Sequence, residues 1–349
     1  MRLAILGPVS WRTPPRHYGA WETVVSNLAE GLVARGYDVT LFATQDSMTA
    51  ARLDAVAPRP YSECQALDAK VWEFLHISEC MEKADRFDLI HNNYDFMPLI
   101  FSRLISTPML TTVHGFSLDQ FRLVYRKYRS THFVSISDAD RDPYLPYVRT
   151  VYNGIRLDEH TFQPKAGEYL AFVGRIHPDK GVHLAIDVAR TSGRKLIIAG
   201  IIQDQAYFDE LIKPRLGGQV EFIGPVDPPA RDTLFGGALA SLHLTTIPER
   251  FGLAMAESMA TGTPVIGMDL GSVREVVEDG VTGFVVEDLD AAIAAVEWIP
   301  EISRRKCRER VERMFSVDAM VEGYLDAYRS ILGSDAVLPR NLPATPSAS

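Results

Sequence analysis

Two glutamates, Glu249 and Glu257, are separated by seven residues in the stretch from Thr245 to Gly267, Thr-Thr-Ile-Pro-Glu-Arg-Phe-Gly-Leu-Ala-Met-Ala-Glu-Ser-Met-Ala-Thr-Gly-Thr-Pro-Val-Ile-Gly. Pro248 and Gly252 interrupt the backbone just ahead of a helix-forming run, Leu253–Ala260. A helix opening at residues 252–254 leaves its first N–H groups without internal partners. Together with the positive end of the helix dipole, those groups suit an anion such as a diphosphate. Glu257, one to two turns further in, is placed to accept hydrogen bonds from a sugar diol, and Glu249, on the preceding loop, to reach a second polyol. The same spacing also describes an ordinary surface helix with a solvated Glu257.

A second group of candidates stands in Phe172-Val173-Gly174-Arg175-Ile176-His177-Pro178-Asp179-Lys180-Gly181-Val182. Gly174 allows the backbone to pass close to a ligand. Arg175 and Lys180 can neutralise a diphosphate, the arginine with two parallel hydrogen bonds. Charge grows on a diphosphate as it leaves, so fixed cations there stabilise the transition state. His114 ends the run Thr111-Thr112-Val113-His114-Gly115-Phe116, and its imidazole suits a sugar hydroxyl. His91-Asn92-Asn93-Tyr94-Asp95 ends another strand with polar side chains, which makes Tyr94 a candidate acceptor contact or part of a solvated loop. The first loop carries Trp11, Arg12, Arg16, His17, Tyr18 and Trp21 around Gly19. This aromatic and partly basic set, with Arg16 as its candidate contact, suggests a compact anionic acceptor.

The elements that must hold these residues read as alternating strands and helices. Candidate strands are 3–6, 39–43, 89–91, 110–114, 133–136 and 151–152, then 169–173, 195–199, 221–223, 241–244, 265–267 and 283–286. Strands this apolar, separated by helical segments, imply parallel sheets covered on both faces. The pattern occurs twice, giving an α/β protein with two doubly wound domains and a polar break near 157–168. The expected domains are 1–156 and 165–316, with 45–70 an irregular surface loop. Ligands of such folds sit outside the carboxyl ends of the strands. Asp288-Leu289-Asp290 is read as a helix N-cap rather than a metal motif, and no metal or other cofactor is expected. The tail 334–349 is rich in Pro, Ser and Ala and is expected to be disordered.

Composition narrows the classes. At 349 residues, 46% hydrophobic and 23% charged, the chain is long enough for two globular domains. It contains no apolar run of the roughly 20 residues that span a bilayer, and its start does not read as a signal peptide. Cys64, Cys80 and Cys307 are scattered, which suggests reduced thiols and a cytoplasmic protein. The net charge of −9 falls on residues 157–349, whereas the first 156 residues balance. Nucleic-acid binding is therefore not expected. The basic run Arg122–Arg129 reads as a solvated helix face, or as a peripheral contact with an anionic membrane surface. The first loop lacks G-x-G-x-x-G, which disfavours a nicotinamide dehydrogenase.

The segments Glu-Arg-Phe-Gly-Leu at 249–253, Glu-Ser-Met-Ala-Thr-Gly-Thr-Pro-Val-Ile-Gly at 257–267 and Glu-Val-Val-Glu-Asp-Gly-Val-Thr-Gly-Phe at 275–284 resemble the E-x7-E signature of retaining glycosyltransferases of family four. These enzymes have two facing Rossmann-like domains, the GT-B fold. The Gly-Arg…Lys-Gly loop at 174–181, His114-Gly115, Val134–Asp138 and the Asn153-Gly154 turn extend the likeness over about residues 1–330. Where the family has Gly-Gly before the first helix, this chain has Gly19-Ala20. The resemblance implies transfer of a hexose from a nucleotide-diphosphate sugar, UDP-glucose first and GDP-mannose second, to a hydroxyl of a small-molecule or lipid acceptor. It implies that Arg175, Lys180 and the backbone at Phe251, Gly252 and Leu253 hold the diphosphate and sugar, and that Gly19 and Gly174 approach the donor. It further implies that Glu257 takes the ribose, that Glu249 and His114 line the transferred sugar, and that a last helix near 317–332 returns to the first domain. No carboxylate reads as a nucleophile, so the expected route has the departing phosphate oxygen accept the acceptor proton on the same face. Two alternatives stay open. A nucleotide-sugar epimerase would need no acceptor, and a non-catalytic sugar-nucleotide-binding protein would show no donor turnover.

Overall fold

The computed structural model describes residues 1–16, 19–64, 66–115 and 119–339. His17, Tyr18, Phe116 and the tail 340–349, which figure in the expectations above, lie outside the described residues. The chain divides into two compact units. The first comprises residues 1–136, 141–154 and 320 onward, and the second 137–140 and 155–319.

In the first unit seven strands form one sheet: β1 (Arg2–Leu6), β2 (Asp38–Phe42), β3 (Arg52–Asp54), β4 (Leu89–Asn92), β5 (Met109–Val113), β6 (His132–Ser135) and β7 (Tyr147–Thr150), ordered β3-β2-β1-β4-β5-β6-β7. Every pairing is parallel. The central strands are buried on both faces, which is why they read as unbroken apolar runs. The second unit has six strands: β8 (Tyr169–Val173), β9 (Leu196–Ala199), β10 (Val220–Phe222), β11 (Ala238–His243), β12 (Val265–Met268) and β13 (Gly283–Val286), ordered β10-β9-β8-β11-β12-β13 and again all parallel. Strand order reverses beside the first strand of each sheet, between β1 and β4 and between β8 and β11. The crevice of a doubly wound fold opens at that point, and the loops leaving these four strands carry most of the candidate residues.

Three expectations need correction. β3 lies within the stretch read as irregular, because a three-residue, partly exposed edge strand with Arg52 and Asp54 has no apolar run to betray it. β7 ends at Thr150, before the expected 151–152. It is half-buried throughout, and the apolar Val151 only adds one bond, from its N–H to Ser135 O. Residues 334–339 are not a loose tail: Val337 is buried, and the Met1 ammonium donates to Leu338 O at 3.0 Å.

Two long-range anchors shape the units. The helix Val317–Leu332 joins the first unit from Met320 onward. There the Tyr328 hydroxyl pairs with His91 Nδ1 at 2.7 Å and the Tyr324 hydroxyl with Thr112 Oγ1 at 2.9 Å. In the second unit the Arg304 guanidinium donates to the carbonyls of Gln163, Ala238 and Gly236 and to Thr263 Oγ1. A buried cation is tolerable there because each face of its fork meets an acceptor.

Candidate active site

In the second unit the loop after β8 and the loop after β11 converge on one carboxylate. Lys180 Nζ donates to Glu249 Oε2 at 2.7 Å, and His243 Nε2 lies 2.8 Å from the same oxygen. The N–H of Arg250 donates to Oε1 at 3.1 Å. Burial alone would push the Glu249 carboxyl up. The His243 hydrogen bond and the Lys180 charge outweigh it and hold the group well below the usual carboxylate range. The backbone of Glu249 is pinned as well, its N–H donating to Leu270 O and its carbonyl accepting from Ser272 N. A Cβ on Gly271 would meet Glu249 O at 2.2 Å, so the turn closes only on glycine. Arg250 pairs with Asp140. Phe251 is buried edge-to-face against Phe315 at 5.5 Å.

The helix Leu253–Ala260 begins as expected. Gly252 is its N-cap with φ +80° and no side-chain cap, so its first N–H groups keep the open geometry that receives an anion. Glu257 stands in that helix, 3.0 Å from Arg231 Nη2. Arg175 is paired with Asp179 at 3.0 Å and with Gln203. Lys180 and Glu249 thus come together directly, Gly252, Leu253 and Glu257 follow on the same loop and helix, and Arg175 stands with Gly174 at the end of β8. A Cβ on Gly174 would make only an ordinary contact with the Phe172 ring, so the fold itself does not demand glycine there. Asp288 caps the helix Leu289–Trp298 by accepting from Ala291 N at 2.8 Å.

In the first unit His114 is 7% exposed. Its ring stacks on Trp21 at 5.2 Å between centroids, and its Nε2 lies 3.0 Å from Asn93 Oδ1. Burial pushes the imidazole down to about 4, so it is neutral at pH 7. With Nε2–H donating to Asn93, its Nδ1 keeps a lone pair for a hydroxyl. Gly19 precedes the helix Ala20–Ala34, and a Cβ there would meet Pro15 at 2.8 Å and Glu22 Oε2 at 2.9 Å. The buried Glu22 accepts from Ser10 Oγ at 2.8 Å and Trp11 N at 3.2 Å, and burial pushes its carboxyl up.

Two acceptor expectations change. Arg16 is paired with Glu63 at 2.5 Å and Asp46 at 3.3 Å, so its charge is already balanced within the fold. Tyr94 is 5% exposed in the apolar core beside His76, because its ring belongs to the packing of the unit rather than to a solvated loop. Two of the four cations of the basic run are committed to structure. Arg122 and Arg126 both hold the buried Asp142, at 2.8 and 3.0 Å, and Arg126 lies over the Tyr144 ring. Sequence reasoning missed His243, Glu22 and Arg231, and it read Asn93 only as one of the polar residues that end a strand. Of the three missed, His243 left a signal, as a polar residue closing an apolar strand six residues before Glu249.

Two Rossmann-like α/β units, the second with a glycine-opened helix start and Arg175 and Lys180 near the carboxyl end of its sheet, have the architecture of the GT-B class. Residues 156–314 match the family model described as "Glycosyl transferases group 1", and residues 21–159 match "Glycosyltransferase Family 4". Together the two matches cover residues 21–314 and support a glycosyltransferase of the family-four type. A glycogen synthase of Mycobacterium tuberculosis is 26% identical over 88% of this chain and 89% of its own length. A phosphatidyl-myo-inositol mannosyltransferase of the same organism is 25% identical over 96% of this chain and 98% of its own. Among solved structures, Anabaena HepE in complex with UDP and glucose superposes with a TM-score of 0.72 at 18% identity, covering 95% of this chain and 100% of that one. Among the described residues no helix is long and apolar enough to cross a membrane.

Proposed function

We propose that the protein is a retaining hexosyltransferase that uses a nucleotide-diphosphate sugar, with UDP-glucose the first candidate donor and GDP-mannose the second, and a hydroxyl of a small-molecule or lipid acceptor. The observation that carries this reading is the Lys180–Glu249–His243 cluster joined through Arg250 and Phe251 to the glycine-opened helix start at Gly252. A diphosphate is received at such a start, with Lys180 and Arg175 offsetting the charge that grows on departure and without need of a metal. Glu257 takes the ribose diol. Glu249 and the neutral His114 hydrogen-bond the transferred sugar. The acceptor hydroxyl attacks on the face the phosphate leaves, and its proton passes to that phosphate oxygen. The solved relative with UDP and glucose supports a UDP-sugar first, and the mannosyltransferase relative keeps GDP-mannose second.

A thermal-shift panel of UDP, GDP and ADP with their common sugars tests the donor, since a ligand of the folded state raises the midpoint. One nucleotide family stabilises the protein, and Lys180→Ala abolishes the shift. Donor turnover with an acceptor panel then follows by mass spectrometry with and without a chelator, and the anomeric configuration of the product by NMR. No shift with any nucleotide, or an inverted product, overturns the reading, and a trapped covalent sugar–enzyme adduct overturns the proton route.

A further inference from the structure

The helix Pro228–Gly236 sets Arg231 against Glu257, with Nη2 3.0 Å from Oε1. Glu257 is 9% exposed, and Arg231 is the only hydrogen-bond or ion-pair partner it has among the described residues. The Arg231 side chain is itself three-quarters covered, and its Nε is buried without an acceptor. The guanidinium therefore has one charged partner at ion-pair distance, the Glu257 carboxylate. The next residue, Asp232, secures the helix by accepting from Thr161 N at 3.0 Å, with the His160 ring 3.6 Å away and within electrostatic reach of Glu257 and Arg231.

A carboxylate this covered is costly without a counter-charge. The ion pair is made at Oε1, which leaves Oε2 for incoming hydroxyls. We propose that Arg231 is the positioning residue of the ribose contact, aiming Glu257 so that the site selects a ribonucleoside diphosphate over one lacking the vicinal diol. This rests on the reading of Glu257 as the ribose contact given above. Arg231 touches the carboxylate and not the reacting atoms, so its effect falls on which nucleotide is held.

Isothermal titration of the full chain with UDP, GDP and ADP, each against its 2′,3′-dideoxy counterpart, tests this. The parent prefers the ribose form of its nucleotide about ten- to hundredfold, as hydrogen bonds to a charged group imply. Arg231→Met brings that ratio close to one while the dideoxy affinity stays within about threefold, Glu257→Gln does the same, and the double variant loses nothing more. Arg231→Lys, which keeps the charge without the fork, retains part of the preference. It carries the test should Arg231→Met not fold, as judged by circular dichroism. An unaltered ratio in Arg231→Met and Arg231→Lys overturns the proposal, as does equal weakening of both nucleotide forms, which would mark a merely structural pair. If the parent binds no nucleoside diphosphate, the transferase reading falls and takes the proposal with it. If it binds both forms equally, only the diol contact and the role of Arg231 fall.

Discussion

Glu249 is held by three donors, and a carboxylate offers about four acceptor positions. Its first task is to fix Lys180 and the start of the loop leading to Gly252, with one position left for a sugar hydroxyl. Glu249→Gln removes the charge partner of both Lys180 and His243 while keeping the shape. The expected loss is about a hundredfold in transfer kcat/KM, with nucleotide affinity within about threefold of the parent; steady-state kinetics beside titration would show it, and an equal loss in both would make Glu249 a diphosphate-site residue instead. Asp95 makes a different kind of prediction. It sits at φ +72°, a conformation that asparagine also tolerates, and burial, opposed by the Tyr125 hydroxyl, pushes its carboxyl up to about 6. An acid with a raised folded pKa stabilises the fold while protonated and loses that stability as pH rises toward 6. Asp95→Asn should therefore gain on the parent by about 2 kcal/mol more at pH 7.5 than at pH 4.5, measured by urea unfolding at both values. A constant difference would mean the carboxyl is solvated.

The helix Leu253–Ala260 shows what an element contributes. It is short and has no side-chain cap at its start, so the N–H groups there stay available because Gly252 adopts a left-handed conformation that no L side chain takes cheaply. A Cβ on Gly252 would also press on Met255 Cε at 2.4 Å. Gly252→Ala is expected to cost about 1–2 kcal/mol of stability and to weaken nucleoside diphosphate binding by about tenfold or more. Chemical unfolding and titration on the same sample separate the two effects, and undiminished binding would detach the helix start from the anion. The short helix Arg122–Lys127 teaches the opposite lesson. Its arginines look available on paper, yet they close on Asp142, whose carboxyl they and the Tyr144 N–H hold low against the opposing effect of burial.

Across the whole molecule, stability is set to fall on the acid side. His76, His91 and His114 are all buried in the first unit, and burial pushes them down to about 4, 3 and 4. The unfolded chain takes up protons near its ordinary value of 6.5, whereas the fold refuses them until far lower pH. Stability is therefore lost as pH falls below 6.5, by up to about 2 kcal/mol for each histidine between pH 7 and pH 5. Asp95 and Glu22, both carboxyls pushed up by burial, work in the other direction over part of that range but are two groups against three. The urea midpoint should drop on going from pH 7 to pH 5, with amide exchange accelerating first in β1, β4 and β5. A flat midpoint would mean that these imidazoles reach water.

Much of this was legible along the chain because the relevant physics is local. Strands buried on both faces must be largely apolar, so the nine interior strands announce themselves as runs rich in Val, Ile, Leu, Ala and Phe, and two of the four edges, β10 and β13, keep enough apolar residues to be read as well. Gly252 and Pro248 mark the helix start, and Arg175, Lys180, Glu249 and Glu257 stand in recognisable spacing. The edge strands β3 and β7 leave no such trace, whereas the edges β10 and β13 of the second sheet do. β3 was invisible and β7 misplaced because a half-buried edge is free to carry Arg, Asp and Thr. Above all, partnership is not local. That His243 and Lys180 share Glu249, that Asn93 and Trp21 fix His114, that Arg231 pairs with Glu257, and that Arg16, Arg122 and Arg126 are already neutralised depend on segments as far apart in the chain as Trp21 and His114, brought together by parallel crossovers. The types of residue that could handle a sugar nucleotide were set by the sequence alone. Which of them are aimed at a ligand and which are spent on the fold was decided only by the tertiary structure, because a charge is satisfied by whatever lies within a few ångströms of it and not by its neighbours in the chain.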